Sequence, residues 1–271
     1  MKTAKPAIGV VVLSYNRLPL LRITLQKIMA QTYGALEVLV VDNNSTDGAR
    51  AYLDTLQDVE TLYLSENMGP AGGFHEGIRY FAEKGNVDYI WLMDDDFFPS
   101  ASCLEALVNA TDEQTIAFPY VRDKAFVTHN QPGWWGVLVP MAVVKHVGYP
   151  MKEFFFWSED TEYFQHRMRD KFNYRNMWVQ EAKGVHFTER KRDFRQPWRV
   201  YYEIRNTTYM RLHVRERTGR RTYKLIKGWV KLAGGIMIKE KEKGEKMKWL
   251  LRGVYDGMTK QLGKTVDPLA K

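Results

Sequence analysis

The chain has 271 residues, 45% hydrophobic and 27% charged, enough for one large soluble domain, or one domain plus an appendage, around a substantial core. Its one cysteine, Cys103, excludes internal disulfides, and no run approaches the roughly 18 apolar residues that a bilayer span requires. The net charge of +8 is lopsided: residues 189–271 hold 23 Lys and Arg against 9 Asp and Glu, a net of +14, while residues 1–188 hold 17 against 23, a net of −6. The lone thiol suits a reducing compartment, and Met1–Pro6 is too short for a signal peptide, so a cytoplasmic location is expected.

In chain order, Ile8–Leu13 is an unbroken apolar run and reads as a buried strand. Leu18–Ala30 places Leu18, Leu21, Leu25, Ile28 and Met29 at helical spacing. Leu36–Val41 is a second strand, and Asp42–Gly48 is loop chemistry before a helix at Ala49–Leu56. Glu60–Leu64 is a third strand, Pro70–Gly73 opens a helix over Phe74–Lys84, and Tyr89–Met93 is a fourth strand. This alternation predicts an α/β fold with a mainly parallel sheet and helices on both faces, binding ligands beyond the carboxyl ends of its strands. Four polar loops, 14–17, 42–47, 67–73 and 94–96, fall at such ends. Beyond Thr115 the alternation fades: Ile116–Tyr120, Gly133–Val139 and Lys183–Phe187 read as strands and Val143–Val147 as a short helix. Trp198–Arg217 predicts a long helix and Thr222–Ile238 an amphipathic one, with Lys224, Lys227 and Lys231 on one side and Leu225, Trp229, Leu232 and Ile236 on another. Lys239–Lys248 reads as a charged, solvated link and Met247–Thr259 as a last helix.

Asp94, Asp95 and Asp96 follow an apolar strand directly. Adjacent carboxylates repel one another and call for a cation. On an extended chain, residues two apart share a side, so Asp94 and Asp96 would face one point and Asp95 away. Hard oxygens of this kind suit Mg²⁺ or Mn²⁺ together with substrate phosphates. The same acids would also serve as a cap for a helix starting near Ser100–Ser102. Gly72 and Gly73 in the turn 67–73 allow close backbone approach by a phosphate, although the pattern matches neither a dinucleotide fingerprint nor a Walker loop; a plain turn is the alternative. Asp42 can accept hydrogen bonds from a ribose or base edge, or cap a helix. Arg17 can pair with a diphosphate, or be a surface charge. The aromatic run Phe154–Trp157 delivers Glu159 and Asp160 into an apolar setting, which raises a carboxyl pKa and suits a general base. A helix start capped by Ser158 explains the same residues. Trp134 and Trp135 point opposite ways on a strand, one to the core and one free to stack on a sugar. His186 ends a strand and becomes a metal-ligand candidate only if it returns to Asp94 and Asp96.

Taken together, Val11–Arg17, Val40–Gly48, Asn67–Phe74, Met93–Asp96, Glu159–Asp160 and His186 resemble a family 2 glycosyltransferase with the GT-A fold, in the family's order over roughly residues 8–190. Ala71–Phe74 and the triple Asp are most similar to the galactofuranosyltransferase and rhamnosyltransferase branch, as are Trp198-Arg199, Tyr201-Tyr202, Arg205-Asn206 and 252–257. The resemblance implies a Rossmann-like mixed sheet flanked by helices over 1–190 and a basic helical extension over 191–271. It implies inverting transfer from a nucleotide-diphosphate sugar, UDP-galactofuranose favoured over dTDP-rhamnose, to a glycan or lipid-linked acceptor in bacterial surface polysaccharide synthesis. Asp42 would hold the nucleoside, Arg17 the uracil or diphosphate, and Asn67, Gly72, Gly73 and Asp95 would line the donor pocket. Trp134, Trp135 and Trp157 would contact sugars. Asp94, Asp96 and His186 would hold Mn²⁺ or Mg²⁺, and Asp160 would deprotonate the acceptor with Glu159 beside it. Pro70 departs from the small residue common at that position in the branch.

The basic extension suggests a peripheral position on an anionic membrane face, with Trp229 and Ile236 turned to lipid and each Lys or Arg near the surface worth about 1 kcal/mol. An ordinary packed helix is the alternative. Two other classes compete with an enzyme. A sugar-nucleotide-binding scaffold would keep the fold without turnover, against which the intact acids argue. Nucleic-acid binding finds only charge in its favour, with no recognition motif.

Overall fold

The computed structural model describes residues 5–34, 36–123, 128–129, 132–187, 196–216 and 218–266. The amino-terminal half alternates as expected: β1 (Ile8–Ser14), α1 (Leu18–Met29), β2 (Leu36–Asp42), α2 (Ala49–Leu53), β3 (Glu60–Tyr63), α3 (Gly69–Lys84) and β4 (Tyr89–Asp94). Then come β5 (Phe97–Pro99), α4 (Cys103–Ala110), β6 (Thr115–Asp123), β7 (Thr128–His129), β8 (Trp135–Pro140), α5 (Met141–Val147) and β9 (Arg175–His186). One sheet runs β3-β2-β1-β4-β8-β6-β9-β5, with β7 on β6. β1 pairs in parallel with β2 and β4, so Ser14, Asp42 and Asp94 end at one edge. β8 then pairs antiparallel with β4 and makes the sheet mixed.

Every residue of β1 is buried because helices cover both faces of the sheet. Val11 and Leu13 join Phe74, Ile78 and Phe81 of α3 in one core. Val10 and Val12 join Leu21, Leu25 and Ile28 of α1 in the other. Burying apolar area at about 25 cal/mol per Å² on both faces anchors β1 as the rigid base of the loops at its carboxyl end.

Several sequence expectations are corrected. α3 starts at Gly69, with Pro70 in its first turn, so Gly72 and Gly73 are helical and not a turn. A fixed proline φ suits a helix start, which the reading of 70–73 as loop overlooked. The acids 94–96 do not cap a helix; α4 begins seven residues after Asp96, behind Ser102, with β5 between them. Asp160, not Ser158, caps the next element, its Oδ1 accepting from Thr161 N at 2.5 Å. That element, Thr161–Lys171, is a π-helix. Its wider i to i+5 bonding is a form that gathers at functional sites.

In the extension, α6 (Pro197–Tyr209) continues as a π turn over Met210–Val214, followed by α7 (Gly219–Lys239) and α8 (Lys243–Thr259). The expected solvated link Lys239–Lys248 is mostly the start of α8. Lys246 is fully buried there, with Nζ 3.1 Å from Glu240. A long lysine stem packs like an apolar chain, so a run of charge conceals a helix start. Trp229 and Ile236 do not face outward: Ile236 is buried against Val200, Ile204 and Leu250, and Trp229 donates to Thr208 Oγ1 at 3.0 Å. No helix among the described residues is long and apolar enough to cross a membrane. The boundary expected at 190 falls outside the described residues.

Candidate active site

The carboxyl ends of β1, β2 and β4, the amino end of α3, the segment 154–161 and the start of α6 enclose a cleft of about 720 Å³. Arg17, Asn67, Asp94, Asp95, Asp96, Trp134, Trp135, Trp157, Glu159, Asp160 and His186, all expected at the site, line it.

The acidic corner differs from the strand-based expectation. β4 stops at Asp94 and the chain turns at Asp95, so strand alternation ends there. Asp95 therefore faces inward: its Oδ2 accepts from Ser14 Oγ at 2.8 Å, and its Oδ1 lies 3.4 Å from Arg17 Nη1. The same guanidinium nitrogen stands 2.5 Å from Asp96 Oδ2, and His186 Nε2 is 3.3 Å from Asp96 Oδ1. Burial beside Asp96 and Asp95 pushes Asp94 well above the ordinary carboxylate range. Burial also carries Asp95 up to about 7, against the pull of Arg17. Burial would raise Asp96 too, but His186 and Arg17 more than offset it and hold its pKa low. Three carboxylates thus share one arginine and one histidine.

Carboxylate oxygens and an imidazole are the right donors for Mn²⁺ or Mg²⁺, and the surplus negative charge suits a divalent ion. Among the described residues, however, no three His, Cys, Asp or Glu side chains already stand at ligand spacing. The residues fit the ion in kind and in excess charge.

At the nucleoside end, Asp42 is buried, with Oδ2 accepting from Ser45 N at 3.1 Å. Its Oδ1 is buried and has no hydrogen-bond partner among the described residues, and Asp42, expected at the site, does not line the cleft; its neighbour Asn43 does. Asn43, which the sequence did not single out, bonds Asn67 Oδ1 at 3.1 Å and accepts from Met68 N at 2.8 Å, tying β2 to the loop before α3. Gly72 and Gly73 do not line the cleft. A Cβ at Gly73 would stand 2.2 Å from Leu13 Cδ1, and one at Gly72 2.5 Å from Met68 Cβ. Their lack of side chain lets α3 pack tightly. Gly69 is the glycine at the cleft: its φ is +67°, and a Cβ there would meet Phe155 O at 2.0 Å.

Across the cleft, Glu159 is buried and accepts from Trp134 Nε1 at 3.3 Å. Burial and the neighbouring Asp160 push its carboxyl up to about 8. Burial raises Asp160 to about 6, with Thr161 N holding it back. Burial and mutual repulsion thus favour a single charge shared by the pair at neutral pH. Trp134 is the core member of the tryptophan pair, stacked on Phe74 at 4.1 Å between ring centres. Trp135 is half-buried, 4.9 Å from the His186 ring.

The segment delivering these acids is strained: Phe155, Trp157 and Ser158 have φ of +60°, +75° and +72°. Asn206 of α6 holds it, with Nδ2 donating to Phe154 O, Phe156 O and Trp157 O at 2.9, 2.8 and 2.7 Å. Arg205, fully buried, adds bonds to Phe154 O at 2.9 Å and Gly263 O at 2.6 Å. Trp198 and Arg199 at the start of α6 complete the cleft wall, Arg199 lying over the Trp198 ring at 5.2 Å. Sequence reasoning noted these four residues as a resemblance without a role. Pairing a distant helix with a loop is invisible without the fold.

The model of the family "Glycosyl transferase family 2" matches residues 9–217, well over half the chain. The chain belongs to that family. The glycosyltransferase is 33% identical over 131 residues to galactofuranosyltransferase GlfT1 of Mycolicibacterium smegmatis, covering 41% of this chain and 43% of the relative. It is 27% identical over 113 residues to GalNAc(5)-diNAcBac-PP-undecaprenol beta-1,3-glucosyltransferase of Campylobacter jejuni, covering 40% and 35%. Each match spans less than half of either protein. Mannosyltransferase PcManGT of Pyrobaculum calidifontis, solved with GDP-Man and Mn²⁺, superposes with a TM-score of 0.60 at 16% identity, covering 95% of this chain and 76% of that one. The glycosyltransferase thus has the GT-A architecture expected of it.

Proposed function

We propose that this glycosyltransferase transfers a sugar, with inversion, from a nucleotide-diphosphate donor to a glycan or lipid-linked acceptor during bacterial surface polysaccharide synthesis, at an anionic membrane face. The observation that carries this reading is one cleft with an arginine-bound acidic corner on one wall and the carboxyl pair Glu159 and Asp160 on the other. Galactofuranose is the favoured sugar, supported by the similarity to GlfT1; rhamnose from a dTDP donor is the second choice. A lipid-linked acceptor is supported by the undecaprenol-linked substrate in the Campylobacter relative's name.

In this reading Asp42 Oδ1 accepts from the nucleoside, and Asn43 and Asn67 shape the wall beside it. Arg17 and Arg199 face the diphosphate with their guanidinium groups. Asp94, Asp96 and His186 would hold Mn²⁺ or Mg²⁺, which when bound offsets charge on the leaving diphosphate. Asp160 takes the proton of the acceptor hydroxyl; that oxygen bonds to the anomeric carbon as the carbon–phosphate-oxygen bond breaks and the nucleoside diphosphate leaves. Attack opposite the leaving group inverts the centre. Glu159, held neutral, does not compete for the proton, and its bond to Trp134 fixes the segment's depth. Trp135 and Trp157 offer ring faces to sugars.

The test is a screen of UDP-galactofuranose, dTDP-rhamnose, UDP-galactose and UDP-glucose with Mn²⁺, measuring nucleoside diphosphate release. Release from one donor, lost in Asp160→Asn, supports the reading and names the sugar. Donor binding without turnover, even with lipid-linked acceptors supplied, would favour a sugar-nucleotide-binding scaffold.

A further inference from the structure

Helix α7 carries two apolar stripes. One, formed by Leu225, Trp229, Leu232 and Ile236, is turned inward: Leu225 is buried, and the other three pack with Val200, Ile204 and Leu250 of α6 and α8. The other, formed by Tyr223, Ile226, Val230 and Met237, is exposed by 65, 49, 66 and 53%. At 100° per residue the exposed stripe lies roughly 120° around the helix from the packed one. Arg220, Lys224, Lys227 and Lys231 follow a further roughly 100° on. The neighbouring α8 exposes Leu251, Tyr255 and Met258, each by more than half, at spacings of four and three residues. These two helices share a packed seam through Ile236, Met247, Leu250 and Val254. A hairpin therefore presents apolar stripes from both its members, beside a row of cations.

Soluble proteins rarely leave such stripes open without a partner. Charge decides what covers this one. α7 contains six Lys and Arg and no Asp or Glu, so a second copy of the same face would meet it with like charge. Anionic phospholipid matches both features: its headgroups pair with the lysines, and its acyl boundary accepts the tyrosine, isoleucine, valine and methionine.

We propose that the outward face of α7 and α8, centred on Ile226 and Val230, docks in the interfacial layer of an anionic bilayer. This deepens the membrane reading above and rests on it. It also moves the contact away from the packed Trp229 and Ile236. An interfacial helix seats only its apolar stripe in the acyl boundary, and the adjacent lysines remain among the headgroups.

The full chain is tested by flotation with phosphatidylcholine vesicles made with and without phosphatidylglycerol. Wild type should float only with phosphatidylglycerol and should detach as salt rises. Ile226→Glu with Val230→Glu, and separately Lys224→Glu with Lys227→Glu and Lys231→Glu, should each weaken partitioning by roughly 100-fold. UDP binding by calorimetry and melting temperature should stay unchanged, which shows that the variants remain folded. Failure of wild type to float, or equal flotation of the Glu variants, overturns the proposal. So does a wild-type dimer in sedimentation that Val230→Glu converts to monomer, because the face would then be a self-association surface. Vesicle binding without sugar-nucleotide turnover would leave docking standing and sink the catalytic reading. Turnover without vesicle binding would do the reverse.

Discussion

Replacing Asn206 by Ala should disable catalysis through a residue that does not line the cleft. Asn206 is fully buried, and its Nδ2 serves three carbonyls of the segment carrying Glu159 and Asp160. Two N–H groups are lost, at about 1–3 kcal/mol each for the acceptors left buried. Arg205 Nε also loses its acceptor, Asn206 Oδ1, at 2.8 Å. Against this stand three left-handed non-glycine residues, each storing about 1–3 kcal/mol of backbone strain. The clamp and the strain are of the same size, so removing the clamp lets 155–158 relax. A displacement of about 1 Å at the base costs roughly 100-fold in rate. A loss of about 3 kcal/mol corresponds to a melting temperature lower by roughly 6–12 °C for a domain of this size. The assay is steady-state nucleoside diphosphate release with thermal melting, repeated for Asn206→Asp, which keeps the size but removes the donors. Both variants should lose kcat while KM for the donor changes little. A folded Asn206→Ala enzyme with kcat within about threefold of wild type would refute the clamp, given the roughly 100-fold loss expected.

The acid limb of the rate profile should fall tenfold per unit below a pH of about 6, because Asp160 must be ionised and burial has raised it there. Asp160→Asn should cost roughly 10²–10⁴-fold. Glu159→Gln should leave the acid limb in place, since Glu159 is already neutral at pH 7 and Gln keeps an acceptor for Trp134; a large loss at pH 7 would reassign the base to Glu159. Arg199→Gln should weaken UDP binding in calorimetry without changing the melt, since the guanidinium lies over Trp198 at the cleft wall; unchanged affinity would remove it from the donor site. Gly73→Ala should destabilise by about 1–3 kcal/mol through its clash with Leu13, whereas Gly228→Ala, with nothing within 4 Å of the added carbon, should stabilise by about 0.5–1 kcal/mol; melting curves of the pair decide.

The strands β1, β2 and β4 and the helix α1 were legible because each carries its own periodicity, and a period survives without any partner. The acids at 94–96 and 159–160 were legible because packed carboxylates are costly and so mark a purpose. Their orientation was not: the rule of alternating sides failed at Asp95, where the strand had already ended and the turn brought its carboxylate to Arg17. α3 was misjudged because a proline and three glycines look like a turn, although the proline suits a first helical turn and Gly73 answers to Leu13 on another element.

The sequence by itself therefore determined the class of protein, the order of its elements and the residue types at its chemical centre, since those follow from local pattern and from the cost of burying charge. Only the tertiary structure decided which partners meet. It set Arg17 between Asp95 and Asp96 and buried Asp42 Oδ1 with no hydrogen-bond partner among the described residues. It put Asn206 under the strained segment fifty residues before it, and turned the second apolar stripe of α7 outward. Each is a contact between segments distant in the chain. A local pattern shows that a face is apolar or a group charged, but which neighbour covers or pairs it depends on how the whole chain closes its two cores around β1.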